Sequence, residues 1–251
     1  MIRHTVLNST AFALAALALA LPPAAHAADA PKADPPKKRV VGIVVFPGVE
    51  ALDFVGPYEV FSVAHAHAAP PADAPKGTPG RMDYLFDVKV VAATTDPVAV
   101  RGGLKVIPTT TFKDCPQVDI LVVPGGRGKD DALKDKALIG WVAKQAAKAE
   151  VVTSVCTGAF VLAEAGLLDG KEAATHQLAV KDLRAKYPKV KVVAEKRVVE
   201  DGNVVTAAGV SSGLDMSLRV VGKLHGDGVA GMAAQIIEYP YPATAGPAPK
   251  K

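Results

Sequence analysis

Only two cysteines, Cys115 and Cys156, occur among 251 residues. That scarcity excludes a disulfide-stapled scaffold and a zinc site built from cysteines alone. An excess of one charge is missing too. The chain has 29 Lys and Arg against 25 Asp and Glu, a formal +4 spread along its length, so charge implies no nucleic-acid partner. The apolar run AFALAALALAL, residues 11–21, falls short of the roughly 20 residues of a membrane span. There is no internal repeat. What is present is an ordinary globular balance, 49% hydrophobic and 22% charged, with Gly and Pro scattered throughout. This composition excludes disordered, collagenous and coiled-coil chains and supports one full domain or two small ones.

The N-terminal segment reads as an export signal. Arg3 and His4 precede a polar stretch and the apolar run, and Ala25-His26-Ala27 offers a small-x-small cleavage site. Residues 1–27 are therefore expected to be a signal peptide, and the mature protein to be periplasmic or secreted, with no membrane association after cleavage. No Cys follows the run, which argues against a lipoprotein anchor. Residues 28–39 (ADAPKADPPKKR) read as a solvated linker, residues 40–240 as the folded domain and residues 241–251 as a loose tail.

From Val40 the pattern alternates between strand and helix. Val40–Val45, Asp119–Val123 and Val151–Val155 are short continuous apolar runs, as in strands buried on both faces. Tyr84–Ala93 and Leu104–Pro108 also read as strands, and residues 68–82 as a Pro/Ala-rich loop insertion. A helix is expected near Pro57, with Pro in the first turn, and others over Asp130–Ala149, Thr157–Ala165, Ser211–Leu224 and Val229–Ile237. Lys191–Thr206 reads as a hairpin turning at Glu200-Asp201-Gly202-Asn203. Such alternation predicts an α/β domain with a mostly parallel sheet between helices, and ligands at the strand C-terminal ends.

The candidate chemistry gathers at those ends. In VVTSV-Cys156-Thr157-Gly158-AFVLAEAG a strand meets a helix at a cysteine, with glycine two residues on. A sharp turn there would lift the thiol above the sheet, and a helix N-terminus favours thiolate. The same residue reads equally as a buried structural cysteine. Gly125-Gly126 ends another buried strand and could turn amides toward a developing anion, although a plain strand-to-helix turn explains it as well. Asp53 follows the first strand; beside a thiolate its pKa would rise and make it a proton donor, whereas alone it reads as a cap or loop residue.

Taken together, LDFVGPYEVF, VDILVVPGG, TSVCTGAFVLAEAGLLDG, ATHQ and DGNVVTAAGVSSGLDMSL resemble the DJ-1/PfpI (ThiJ/PfpI) superfamily from about Val40 to Tyr239. The resemblance is closest to its isocyanide hydratase branch and to the amidase-like sensor domains of AraC-type regulators. It implies a flavodoxin-like three-layer α/β sandwich in a single domain, a homodimer, no cofactor and no metal. It also implies a nucleophilic Cys156, an acidic partner Asp53, and an anion-stabilising pair from the backbone of Gly126 and Thr157, with Gly125 accessory. His176, in ATHQ, matches a histidine held near the cysteine in many members, or else ties loops together. Departures are Thr157 where protease-like members have His, and Gln177 where many hydratase relatives have Trp. Glu59 reads as a residue of the first helix near the dimer face or site rim. No helix-turn-helix follows residue 240, so DNA regulation is not expected.

The expected substrate is a small electrophile: an isocyanide hydrated to an N-substituted formamide, or alternatively a reactive carbonyl. A non-catalytic binding or redox-sensing protein is the remaining reading. Cys115, before Pro116, reads as a small buried apolar residue rather than a partner of Cys156. His65-x-His67, expected at a helix end beside the Pro-rich loop and with no clear third ligand, reads as solvated surface.

Overall fold

A computed structural model describes residues 37–70 and 72–241. The expected signal peptide, most of the linker and nearly all of the tail lie outside the described residues. The chain runs through β1 (Arg39–Val44), α1 (Ala51–Val63), β2 (His65–Ala68), β3 (Arg81–Tyr84), β4 (Phe86–Ala92), β5 (Val98–Ala99), β6 (Lys105–Val106) and β7 (Thr110–Thr111). It continues through β8 (Ile120–Val123), α2 (Lys129–Ala132), α3 (Lys136–Ala146), β9 (Val151–Val155), α4 (Gly158–Glu164), β10 (Glu172–Ala173) and α5 (Val180–Lys186). It ends with β11 (Lys191–Val192), β12 (Val198–Asp201), β13 (Val204–Ala207), α6 (Ser212–His225) and α7 (Asp227–Ile236).

Seven strands form one sheet in the order β12-β13-β9-β8-β1-β4-β7. Every pairing is parallel except β12 with β13. The central strands are the apolar ones because helices cover both faces: β8 and β9 are buried along their whole length. Helices α1, α6 and α7 pack together on one face, and α2, α3 and α4 on the other. The fold is thus the flavodoxin-like sandwich expected, with the ends of β1, β8, β9 and β13 side by side.

Several local expectations are corrected. Helix α1 starts at Ala51, not near Pro57, and Pro57 lies inside it, buried. The missing Pro57 N–H deprives one carbonyl of its helical donor, a cost met here by packing of the Gly56-Pro57 side: a Cβ on Gly56 would lie 3.4 Å from Leu214. The expected strand Tyr84–Ala93 is interrupted at Leu85. Only its first residue, Tyr84, belongs to β3, which pairs antiparallel with β2, so the Pro-rich segment is the connection of a hairpin. Of Leu104–Pro108 only Lys105–Val106 is strand, paired with β5. Asp130–Ala149 divides in two because Asp135 starts a new helix, its Oδ1 accepting from the amides of Ala137 (2.9 Å) and Leu138 (3.1 Å). The hairpin is confined to Val198–Ala207, and Lys191–Val192 pairs instead with β10.

One buried ionic knot fastens the far end of the chain. Asp215 of α6, 6% exposed, accepts from Arg197 Nε at 2.6 Å and from the Tyr239 hydroxyl at 2.8 Å. It therefore joins the approach to β12, helix α6 and the segment after α7. Removing one partner of such a pair leaves the others desolvated without compensation. Asp215→Ala is expected to lower the unfolding free energy by about 3 kcal/mol in urea titration, and a loss under about 1 kcal/mol would contradict this role.

Candidate active site

Cys156 stands between β9 and α4 with φ of 59°, left-handed backbone that a side chain rarely adopts. The surroundings enforce it. Its amide donates to the Ala207 carbonyl of β13 at 3.0 Å, and its own carbonyl accepts from the Thr175 hydroxyl at 2.9 Å. Gly158 completes the turn: a Cβ there would lie 2.0 Å from the Val123 carbonyl oxygen. The elbow read from the sequence is therefore present, with the cysteine 7% exposed.

Asp53 reaches the same point from the first turn of α1. Its carboxylate does not cap the helix. It is fully buried, and Oδ2 accepts from the Gly125 amide at 2.9 Å. Oδ1 is buried with no partner at hydrogen-bonding geometry, while the Cys156 thiol acts on the carboxylate as a hydrogen-bonding neighbour. Gly125 is required for the close approach of Thr157 to this turn, since a Cβ would lie 2.4 Å from Thr157 Oγ1. Gly126, at φ of 139°, directs its amide to Thr157 Oγ1 at 3.0 Å. That amide, expected to face a substrate anion, is thus engaged by the Thr157 side chain. The loop after β1 is zipped to this turn, Glu50 N donating to Gly125 O at 2.9 Å.

Burial lifts the Asp53 pKa to about 7, and the charge of Glu50 adds to it, while the Gly125 amide and Cys156 oppose the rise. The Cys156 thiol is pushed up to about 12, by burial first and by the Asp53 charge second; the amide and hydroxyl of Thr157 pull it back. The expected rise of Asp53 is therefore found, but the helix terminus does not leave Cys156 a free thiolate. Instead the pair gives up one proton near 7 and the next only near 12. Between those values one proton remains on the pair, on the sulfur, with ionised Asp53 beside it.

Not all sequence candidates meet at this point. Cys156, Thr157, Asp53, Gly125 and Gly126 do. His176 does not hydrogen-bond Cys156; its Nδ1 accepts from the Leu178 amide at 3.3 Å, so it shapes the turn after Thr175. Gln177 and Glu59 are exposed. Cys115 is a free, half-buried thiol held up at about 11 by burial, and Cys156 is free as well. Sequence reasoning missed Glu50 and Arg101, which form an ion pair at the rim; the Arg101 cation also responds to charge on Cys156. They lie far apart in the chain, and no local pattern marks them.

Comparisons with known proteins place the chain in a family. The profile of the DJ-1/PfpI family matches residues 38–223, and the chain belongs to that family. It is 38% identical over 201 residues to an isonitrile hydratase of Pseudomonas putida, spanning 79% of this chain and 78% of the relative. It is 28% identical to the HTH-type transcriptional regulator CdhR of Pseudomonas aeruginosa over 74% of this chain but only 51% of the regulator. Among solved structures, a ThiJ/PfpI family protein from Pseudomonas syringae superposes with a TM-score of 0.69 at 32% identity, covering 88% of this chain and 85% of its own.

The raised carboxyl has a stability consequence. Below about pH 4 Asp53 is protonated in folded and unfolded chains alike, and the burial carries no charge. As pH rises, the unfolded chain ionises from 3.8 whereas the folded chain holds its proton to about 7. Stability is therefore lost across that window, on the order of 4 kcal/mol. Asp53→Asn removes the loss, so its unfolding free energy relative to the parent should improve from about pH 4 to about pH 8. A difference that does not vary with pH would contradict the assignment.

Proposed function

We propose that this protein is a cysteine-dependent enzyme that adds water to an isocyanide to give an N-substituted formamide. The observation that carries this reading is the buried Asp53 carboxyl, one oxygen unpartnered, held beside the Cys156 thiol at the elbow. An isocyanide needs a nucleophile and a proton at the same carbon, and the pair supplies both. The Cys156 sulfur attacks the terminal carbon while the thiol proton passes to that carbon through Asp53. The product is a thioimidate, with sulfur and hydrogen both on the former isocyanide carbon. Ionised Asp53 then takes a proton from a water that attacks this carbon and delivers it to the nitrogen. The carbon–sulfur bond breaks as the new hydroxyl gives its proton, through Asp53, to the departing sulfur, which regenerates Cys156 and releases the formamide. The Thr157 amide holds sulfur charge during these steps, and the bond from Gly126 to the Thr157 hydroxyl fixes that residue in place.

The likeness to a named isonitrile hydratase supports this reading over a reactive-carbonyl substrate. The signal-like N-terminus supports a periplasmic or secreted location. Leu52, Val55 and Tyr58, exposed along one face of α1, support a homodimer. No part of the mechanism calls for a cofactor or nucleic acid.

The test is formamide production from a simple alkyl isocyanide. Cys156→Ala should abolish it, and Asp53→Asn should slow it at least ~100-fold, the usual contribution of a positioned acid or base. Turnover by Cys156→Ala, or consumption of methylglyoxal but not of isocyanides, would overturn the proposal.

A further inference from the structure

A second cluster of donors lies away from this site, on the hairpin that interrupts the expected loop. His65 and His67 share one face of β2, and α7 brings Met232 against it. His65 Nε2 lies 3.2 Å from His67 Nε2, which lies 3.2 Å from Met232 Sδ. His65 is 6% exposed, so the reading as solvated surface is corrected for His65 and holds for His67, and the third ligand not visible in sequence is a thioether.

The protonation pattern makes this more than packing. His65 Nδ1 sits 2.8 Å from the Val63 carbonyl oxygen, which can only accept. Nδ1 therefore carries the ring hydrogen and Nε2 presents a lone pair toward His67, the arrangement that orients a metal-binding imidazole. His67 Nε2 faces that lone pair and a sulfur lone pair together, and it holds at most one hydrogen. His67 Nε2 thus lies 3.2 Å from both the His65 nitrogen and the Met232 sulfur. Metal bonds of about 2.0 Å to nitrogen and 2.3 Å to sulfur set ligand atoms of one ion about 3.3–3.7 Å apart, within a few tenths of an ångström of these two separations. Met82, directly across from His67 in the hairpin register and exposed, adds a second thioether on the same face.

We propose that His65, His67 and Met232 bind monovalent copper, with Met82 as a fourth ligand. The set is neutral and includes soft sulfur, which disfavours calcium and magnesium and selects Cu(I) among biological cations. No group of three or more His, Cys, Asp or Glu capable of holding a metal occurs among the described residues, so the thioether is essential to this set. His65 is anchored from behind, while His67 is exposed and Met232 partly so, leaving the site open to exchange with solvent.

The test is anaerobic titration of the untagged protein with Cu(I) against a chromogenic Cu(I) chelator. Wild type and Cys156→Ala should each retain one competing equivalent. His67→Ala and Met232→Leu, at accessible side chains, should weaken it more than about tenfold, since even second-shell losses cost roughly 10–100-fold. X-ray absorption of the loaded protein should show nitrogen and sulfur neighbours, with less sulfur in Met232→Leu. No retained copper, retention unaffected by both variants, or copper that follows Cys156 or Cys115 would overturn the proposal.

Discussion

The hydrogen bond from the Gly125 amide to Asp53 joins the first turn of α1 to the end of β8, and the candidate site is organised around it. It holds a carboxylate in the protein interior, one oxygen satisfied and the other left beside the thiol. Burial alone would drive that carboxylate to its neutral form, and one amide bond only partly offsets it. The result is a carboxyl poised near neutrality and a thiol held in its protonated form beside it. The strained turn at Cys156 serves the same end, because without φ of 59° the sulfur would not face α1. Strain of that kind persists where neighbours over-determine the backbone, as the bonds to Ala207 and from Thr175 do here.

Much of this is legible in the residues. Strands buried on both faces announce themselves as short apolar runs, so β1, β8 and β9 can be placed, and Cys156-Thr157-Gly158 at the end of β9 marks the elbow. Sequence reading breaks down where local signals compete. Pro57 suggests a first turn, but packing against α6 keeps it inside the helix, moving Asp53 from a loop into α1. Asp135 is a capping residue inside a helical composition, and its two side-chain bonds decide for a break. Charge is the less readable part. A helix terminus argues for thiolate, whereas burial and the Asp53 charge outweigh it, and neither burial nor the approach of Asp53 can be measured along the chain.

The two rims of the molecule illustrate the same limit. Glu50 and Arg101 meet because the loops after β1 and β5 share a bond, Arg101 N donating to Val49 O at 2.9 Å. His67 and Met232 meet because α7 packs on β2. In each case the residue type is visible in the sequence and the neighbour is not. The Pro-rich segment reads as an insertion without structure of its own, yet its flanks pair as β2 and β3 and put both histidines on one face.

The central claim is that ionisation of Asp53 governs the reactivity of the Cys156 thiol. It is tested most directly by the rate of Cys156 alkylation with iodoacetamide as a function of pH, measured on Cys156 alone by peptide mass. Ionised Asp53 acting as base to the thiol predicts a profile with an inflection near 7 in the parent protein, where Asp53 ionises, and its disappearance in Asp53→Asn. Identical profiles in the two proteins, both rising only as an ordinary isolated thiol would, would contradict it.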